Sequence, residues 1–335
     1  MLKATFLQGT LRFTITLDGP LLIKAGETGG ADPARPDMEF VRTGVGRDTV
    51  YLPGPSLKGV VRAQAERICR TLDHGNRDPG ADNPPLADNP LGDGATYRGL
   101  NDLRYNSGRY IESIRERIAG DADRTATIYR RSSFVSQLFG HTALAGRVRF
   151  ADAYPKGTIT LEERNGVAID RVYGSVAVGP FNYEVAVDGS FTTQLDFRNV
   201  SLAQLGLLGL VLRDLEEGLI GVGFGKSRGL GRVKVSFDEL TVRYPLAELR
   251  TGGVYLLTGQ QPFASANELA GLGACLDAAT AGSYGLRPND RAPLPPGLEY
   301  TPDDLLGIEL RATGHAAVKS IWRACIPAWR EKLGL

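Results

Sequence analysis

The stretch GVGFGKSRGLGRVKV, Gly221 to Val235, limits what this chain can fold into more than any other. Five of the eleven positions from Gly221 to Gly231 are glycine. A backbone so bare takes up positive φ and approaches another chain closely, which residues with a Cβ rarely do. Lys226, Arg228 and Arg232 add three cations, so anions are its natural ligands. A Walker loop is excluded because Ile220 stands where its first glycine belongs. A dinucleotide fingerprint needs a strand before the loop and a helix after it. Here an apolar helical run precedes, and the alternating Val233, Val235 and Phe237 follow. What remains is a helix-loop-strand turn suited to a polyphosphate backbone.

The chain as a whole is no polycation: 39 Lys and Arg face 38 Asp and Glu in 335 residues, a net charge of +1. Any nucleic-acid surface must therefore be local. Cys69, Cys275 and Cys325 are odd in number and far apart, which argues against a disulfide framework or a cysteine zinc site. With no apolar run of membrane-spanning length, the expectation is a cytoplasmic protein with no membrane contact. Forty-two glycines and 19 prolines indicate turns and long loops.

Leu11, Phe13, Ile15 and Leu17 alternate with polar residues as one strand. Gly26 to Pro36 is an exposed loop, followed by Asp37, Met38 to Arg42 and a turn at Gly44 to Asp48. Ser56 is placed to cap a helix whose apolar stripe runs from Leu57 to Leu72. Lys58 falls in its first turn, where the macrodipole disfavours a cation and favours a phosphate. Residues 73–106, rich in Asp, Asn, Pro and Gly, form a mobile insertion; with only His74 as a ligand there, no zinc is expected. His141 has no Ser/His/Asp or Cys/His set around it in sequence.

Residues 159–197 read as an extended hairpin carrying Arg164, Arg171, Tyr173, Phe181 and Tyr183, a mixture suited to lying across nucleic acid. Ser201 caps the next helix, whose leucines surround Gly206 and Gly209, both open to a closely packed neighbour. Strand, helix, strands, buried helix and returning strand describe an α+β unit of ferredoxin-like, RNA-recognition type. Beyond Leu249, Thr301 to Arg311 and Ala316 to Leu333 look helical, the second interrupted by Pro327. Trp322 and Trp329 share one face there, as a packing or subunit-docking ridge.

LPGPSLKGVVR (Leu52 to Arg62), GVAIDRVYGSVAVGPFNYEV (Gly166 to Val185) and GFGKSRGLGRVKV (Gly223 to Val235) together resemble the RAMP superfamily of CRISPR-Cas proteins. More narrowly, they resemble the repeating backbone subunit of type III effector complexes. The resemblance covers residues 1–245; residues 246–335 are an extension of unknown role. It implies a modified ferredoxin-like palm of RRM type with an inserted finger segment, and the hairpin of residues 159–197 as a thumb. Partners would be the guide (crRNA), target RNA, other Cas subunits and copies of itself. Guide contacts carried over are Ser56, Lys58 and Arg62, with Gly223, Gly225, Lys226, Ser227, Arg228, Gly229 and Gly231 of the loop; Arg171 joins them on the thumb. The thumb would flip out one target nucleotide at a regular interval. Pro55, where a serine is usual, and a longer turn at Gly44 to Asp48 depart from the pattern.

In that family the loop before the helix motif carries an aspartate needed for metal-dependent cutting of target RNA. Asp37 matches it, with Asp32 as second choice, and Mg²⁺ or Mn²⁺ as the ion held by Asp37. RNA brings its own nucleophile, so positioning and one carboxylate with a hydrated ion suffice. The alternative is a purely structural crRNA-binding subunit. A guide-processing member usually works through histidine, and three scattered histidines argue against it.

Overall fold

The computed structural model describes residues 4–26, 36–43, 49–73, 75, 77–89, 91 and 105–335. Strand β1 (Gln8–Leu17) is followed by α1 (Gly54–Leu72) and three short helices, α2 (Ser107–Ser113), α3 (Arg124–Arg130) and α4 (Phe134–Phe139). Next come β2 (Val148–Phe150), β3 (Tyr154–Pro155), β4 (Thr160–Ile169), β5 (Val176–Asp188), β6 (Ser190–Arg198), α5 (Leu202–Glu216) and β7 (Val233–Tyr244). The remainder holds β8 (Ala247–Arg250), β9 (Gly253–Leu256), β10 (Glu268–Ala270), α6 (Ala278–Ser283), β11 (Arg291–Pro293), β12 (Tyr300–Pro302), β13 (Ile308–Thr313) and α7 (His315–Lys332).

The main sheet runs β12-β13-β7-β1-β6-β2, with β3 also pairing β6, and every pairing is antiparallel. Its centre, β7-β1-β6-β2, joined through α1 and α5, follows the order strand, helix, strand, strand, helix, strand. Leu11, Phe13 and Ile15 of β1 point into the core opposite Leu195, Phe191, Leu240, Phe237 and Val235. Thr10, Arg12 and Thr16 alternate onto the other face, as a two-residue period requires.

Helix α5 is apolar on nearly all sides and correspondingly buried. Its start carries the capping box, Ser201 with Gln204. The two glycines meet α7: a Cβ on Gly209 would lie 2.7 Å from Trp322 Cβ, and one on Gly206 would lie 2.8 Å from the Cys325 carbonyl and 3.0 Å from Trp329 Cβ. The tryptophan face is therefore a packing ridge against α5. Pro327 does not break α7. It sits on the exposed side, where the carbonyl it leaves unpaired faces water.

Five expectations change. Pro53, not Ser56, occupies the cap position of α1, and Ser56 lies within the first turn, its N–H donating to the Pro53 carbonyl. The hairpin arm is β4 with β5 alone, turning at Asp170 to Ser175 and ending at Asp188 rather than Phe197. The rest of that stretch, β6, lies in the main sheet between β1 and β2. Residues 301–311 are not helical: Ile308, Leu310 and Ala312 alternate as a strand paired with β7, and Gly307 (φ 101°) makes the turn before them. Through β12, β13 and α7 the segment 246–335 extends the sheet and covers α5. Asp32, His74, the turn at 44–48 and residues 76, 90 and 92–104 of the 73–106 insertion lie outside the described residues. The described part of that insertion is no solvated loop: Leu86 and Ala87 are buried in the main core.

Two outcomes test this packing. An exposed helical Gly→Ala gains about 1 kcal/mol from propensity. Overpacking against α7 reverses the sign here, so Gly209→Ala lowers stability by about 1–3 kcal/mol, seen as a lower urea midpoint at unchanged slope. The second concerns Asp290, which is buried and accepts from the Leu202 amide at the start of α5 and from the Gly273 amide of the turn at residues 272–275. Burial pushes its carboxyl up to about 6. A raised carboxyl stabilises the fold below its unfolded value and loses that contribution as the pH rises through the folded one. Stability measured relative to Asp290→Asn therefore falls as the pH climbs from about 4 to about 6.

Candidate nucleic-acid interface

The glycine loop leaves α5, crosses the end of the sheet and enters β7. Val222 N–H donates to the Gly231 carbonyl at 2.8 Å, Gly231 N–H to Pro20 at 2.7 Å, and Phe224 N–H to Leu22 at 2.7 Å. These bonds pin both ends of the loop to residues 20–22, which pair in turn with Ala186 of β5. Between them Lys226–Arg228 forms a single 3₁₀ turn flanked by Gly225 (φ 68°) and Gly229 (φ 81°). Lys226, Ser227, Arg228 and the Phe224 ring are exposed.

Arg232 does not join them. Its guanidinium pairs with Asp18 at 2.8 Å, and Lys234 takes the other oxygen at 2.9 Å. The Lys234 hydrogen bond, assisted by both positive charges, holds the Asp18 carboxyl below the usual range. Lys226 and Arg228 have no acidic partner among the described residues.

Beside the loop lies a groove of about 610 Å³ lined by Val60, Ala63 and Arg67 of α1 and by Gly221, Lys226 and Leu230. Lys58 and Arg67, nine positions apart, point to opposite flanks of α1, about 180° around its axis. Lys58 faces Gly146, with its ammonium lowered by burial and by Arg62. Arg62 gives its donors to Glu66 at 2.9 Å and to the Gly140 carbonyl at 2.9 Å, tying α1 to the turn after α4. The structure thus separates Lys58 and Arg62 from the loop they were expected to extend.

What it does bring together is Asp37, the arm and Arg228. Asp37 is exposed, and its Oδ2 accepts from the Asn182 amide of β5 at 2.9 Å. Next along β5 the Phe181 ring lies under the Arg228 guanidinium, 6.0 Å from its centroid, and tilts against Tyr183. Met38 bridges Tyr183, and Glu184 holds both the Phe40 amide and Arg42. Arg171 sits in the exposed turn at the tip of the arm, ~15 Å further out by strand rise. Sequence reasoning missed Arg67 and Phe224. Arg67 shares a helical face with Val60 and Ala63, a spacing visible in sequence, but its neighbour Lys226 is a tertiary fact.

The open face of the sheet offers nothing comparable. Arg12 and Arg311 pair with Glu239, and Arg311 and Arg243 pair with Glu309. On that face β1, β6, β7 and β13 place no aromatic ring, and the one at its edge, Tyr154 of β3 opposite Thr192, is stacked on Tyr51. Elsewhere Ser132 and His141 lie 2.8 Å apart, but this is no nucleophile and base. The Ala143 amide donates to His141 Nδ1, so Nε2 carries the proton toward Ser132, whose hydroxyl donates to the Ile128 carbonyl.

Residues 14–234 match the family model of the RAMP superfamily. The chain belongs to that superfamily. The matched span takes in the end of β1, both crossing helices, β2 to β6, the whole glycine loop and the start of β7, so the RAMP unit is also the part that builds the corner around Asp37 and Arg228. No curated protein matches the chain. Among the described residues no helix is long and apolar enough to cross a membrane, and the three cysteines are unpaired and buried.

The RAMP loop depends unequally on its glycines. A Cβ on Gly231 (φ 86°) would lie 2.1 Å from the Val222 carbonyl, whereas Gly229 (φ 81°) faces open space. Gly231→Ala is expected to lower the melting temperature and RNA affinity together. Gly229→Ala costs about 1 kcal/mol through its backbone alone and leaves the loop in place. Melting curves and RNA titration on the two variants separate the cases.

Proposed function

We propose that this RAMP protein is a guide-RNA-binding backbone subunit of a type III CRISPR effector complex that also cuts the bound target RNA. The observation that carries the reading is the corner where Asp37, the middle of the arm and Arg228 meet. Three segments far apart in sequence converge there, each with a different use: a carboxylate, an aromatic hairpin and a cationic loop. The sheet order supports a ferredoxin-like palm of RRM type, with β4 and β5 as the thumb. The ion-paired sheet face makes the palm edge, not its open surface, the RNA path.

In this reading the loop, with Gly223 and Gly231 fixing its ends and Lys226, Ser227 and Arg228 at its crest, follows the guide backbone. Lys58 meets the strand separately on the far flank of α1. Phe181 and Tyr183 at the thumb give a displaced base rings to stack on. In the cut, the 2′-oxygen attacks the adjacent phosphorus and the bond to the 5′-oxygen breaks. The 2′-hydroxyl proton is lost, the departing 5′-oxygen gains one, and a 2′,3′-cyclic phosphate remains. Asp37 Oδ1, the oxygen not held by Asn182, faces this reaction.

Among the described residues no group of three or more His, Cys, Asp or Glu side chains is placed to hold a metal. With one exposed carboxylate and no cage, Asp37 would hold a hydrated Mg²⁺ or Mn²⁺ that completes its ligands from the RNA, and such an ion would supply charge stabilisation at the phosphate. The same solitary carboxylate favours the second reading, a structural crRNA-binding subunit without cleavage.

Asp37→Asn separates the two. It keeps an acceptor for the Asn182 amide, so the thumb stays in place, while target cleavage in the assembled complex drops by about a hundredfold or more and guide and target binding persist. Unchanged cleavage in this variant sinks the nuclease reading and leaves the structural one.

A further inference from the structure

We propose that Arg67 and Lys226 form a two-cation clamp on a single RNA phosphodiester, seated in the groove between the outer face of α1 and the glycine loop. The inference rests on the guide-binding reading and adds to it a residue, a subsite and a direction for the strand.

Neither cation has an acidic partner among the described residues. The Arg67 guanidinium meets only Gln64, one turn back on its own helix, at 3.4 Å. Burial and then the charge of Arg67 lower the Lys226 ammonium. Two like charges facing one groove repel each other in the free protein, and an anion between them removes that cost. The third cation lining the groove, Arg232, is already neutralised by Asp18, so two charges remain for a ligand.

The rest of the groove selects the kind of anion. Its α1 wall is Val60 and Ala63, its inner wall Leu230, and its rim the bare backbone of Gly221 and Gly229. A surface alternating one charged point with short apolar walls suits a chain that alternates phosphate with sugar. Its volume, about 610 Å³, exceeds what one isolated phosphate fills and leaves room for the flanking ribose. Because Lys58 lies on the opposite flank of α1, a strand held here passes over the outer face of the helix near Ala63. It reaches Lys58, which faces Gly146, only after crossing the helix.

The test is titration of the full chain with fluorescently labelled single-stranded RNA over a range of salt concentrations. The set is wild type, Arg67→Gln, Lys226→Gln, their double variant and Lys58→Gln. Arg67 is exposed and its removal leaves the core intact, which an unchanged melting temperature verifies. The clamp predicts that each single loss at Arg67 or Lys226 weakens binding about tenfold and reduces the salt slope by about 0.7. The double variant is then weaker than either single one by much less than the product of the two effects, because one phosphate is lost once. Lys58→Gln, in contrast, multiplies with either. If Arg67→Gln binds as wild type while Lys226→Gln is weakened, or if the two losses multiply, the clamp is wrong and the guide-binding loop stands. If neither variant is weakened, both are wrong.

Discussion

Helix α5 has no polar side to spare, and the molecule can keep it only by covering it on every face. The sheet covers one side, while α7 covers another through the close contact at Gly206 and Gly209, where Trp322, Cys325 and Trp329 lie against bare backbone. Any side chain at either glycine would push α7 away and open apolar surface along two helices. The segment after residue 246 is thus tied to the RAMP unit by the need to bury a helix that lies within it.

That same helix aims the glycine loop. At its end Glu216 takes hydrogen bonds from Lys319 at 2.8 and 2.9 Å and lies 2.8 Å from His315 Nε2, both at the start of α7. Burial raises the Glu216 carboxyl, but the bonds from Lys319 and His315 outweigh it and hold the group below its ordinary range. The Phe237 amide donates to His315 Nδ1, which fixes the ring with its Nε2 proton toward Glu216. The end of α5, the start of α7 and the entry to β7 are therefore locked in one knot. The loop hangs from that knot at one end and from the Pro20 and Leu22 carbonyls at the other. Its shape is set before any ligand arrives, which is what a phosphate-binding turn requires if binding is not to be spent on ordering it.

Local pattern carried the central order of strands and helices, because β1, α1, β6, α5 and β7 each repeat one period long enough to read. It also carried the meaning of the two glycines in α5, since only a close neighbour justifies them in a helix. Where the pattern was short, it failed. Residues 308–313 have only three alternating apolar positions behind an exposed Leu305-Leu306 pair, and a helix-like run of leucines hid the strand. The hairpin was overextended because β6 alternates just as β4 and β5 do; only pairing with β1 distinguishes a sheet strand from an arm. For the site, residue chemistry singled out Asp37 and Arg228, which the structure brings to one corner of the arm, and Lys226, which lines the groove beside it. It also grouped Lys58 with them, because sequence shows that a residue is in a helix's first turn but not which flank faces the loop.

Charge bookkeeping over the surface explains how a molecule with a net charge of +1 can still hold RNA. Several exposed arginines are already engaged: Arg12, Arg243 and Arg311 across the sheet, Arg149 with Asp196, and Arg232 with Asp18. A polyanion approaching those places would have to displace a carboxylate held at hydrogen-bond distance, and would gain little. At the corner of α1, the loop and the arm, the cations Arg67, Lys226 and Arg228 stand without such partners, so contact there releases counterions from the RNA at no cost in broken ion pairs. Positioning therefore comes from where acids are missing as much as from where bases are present. Asp37 lies beside this patch, held by a backbone amide rather than by a cation that would neutralise it.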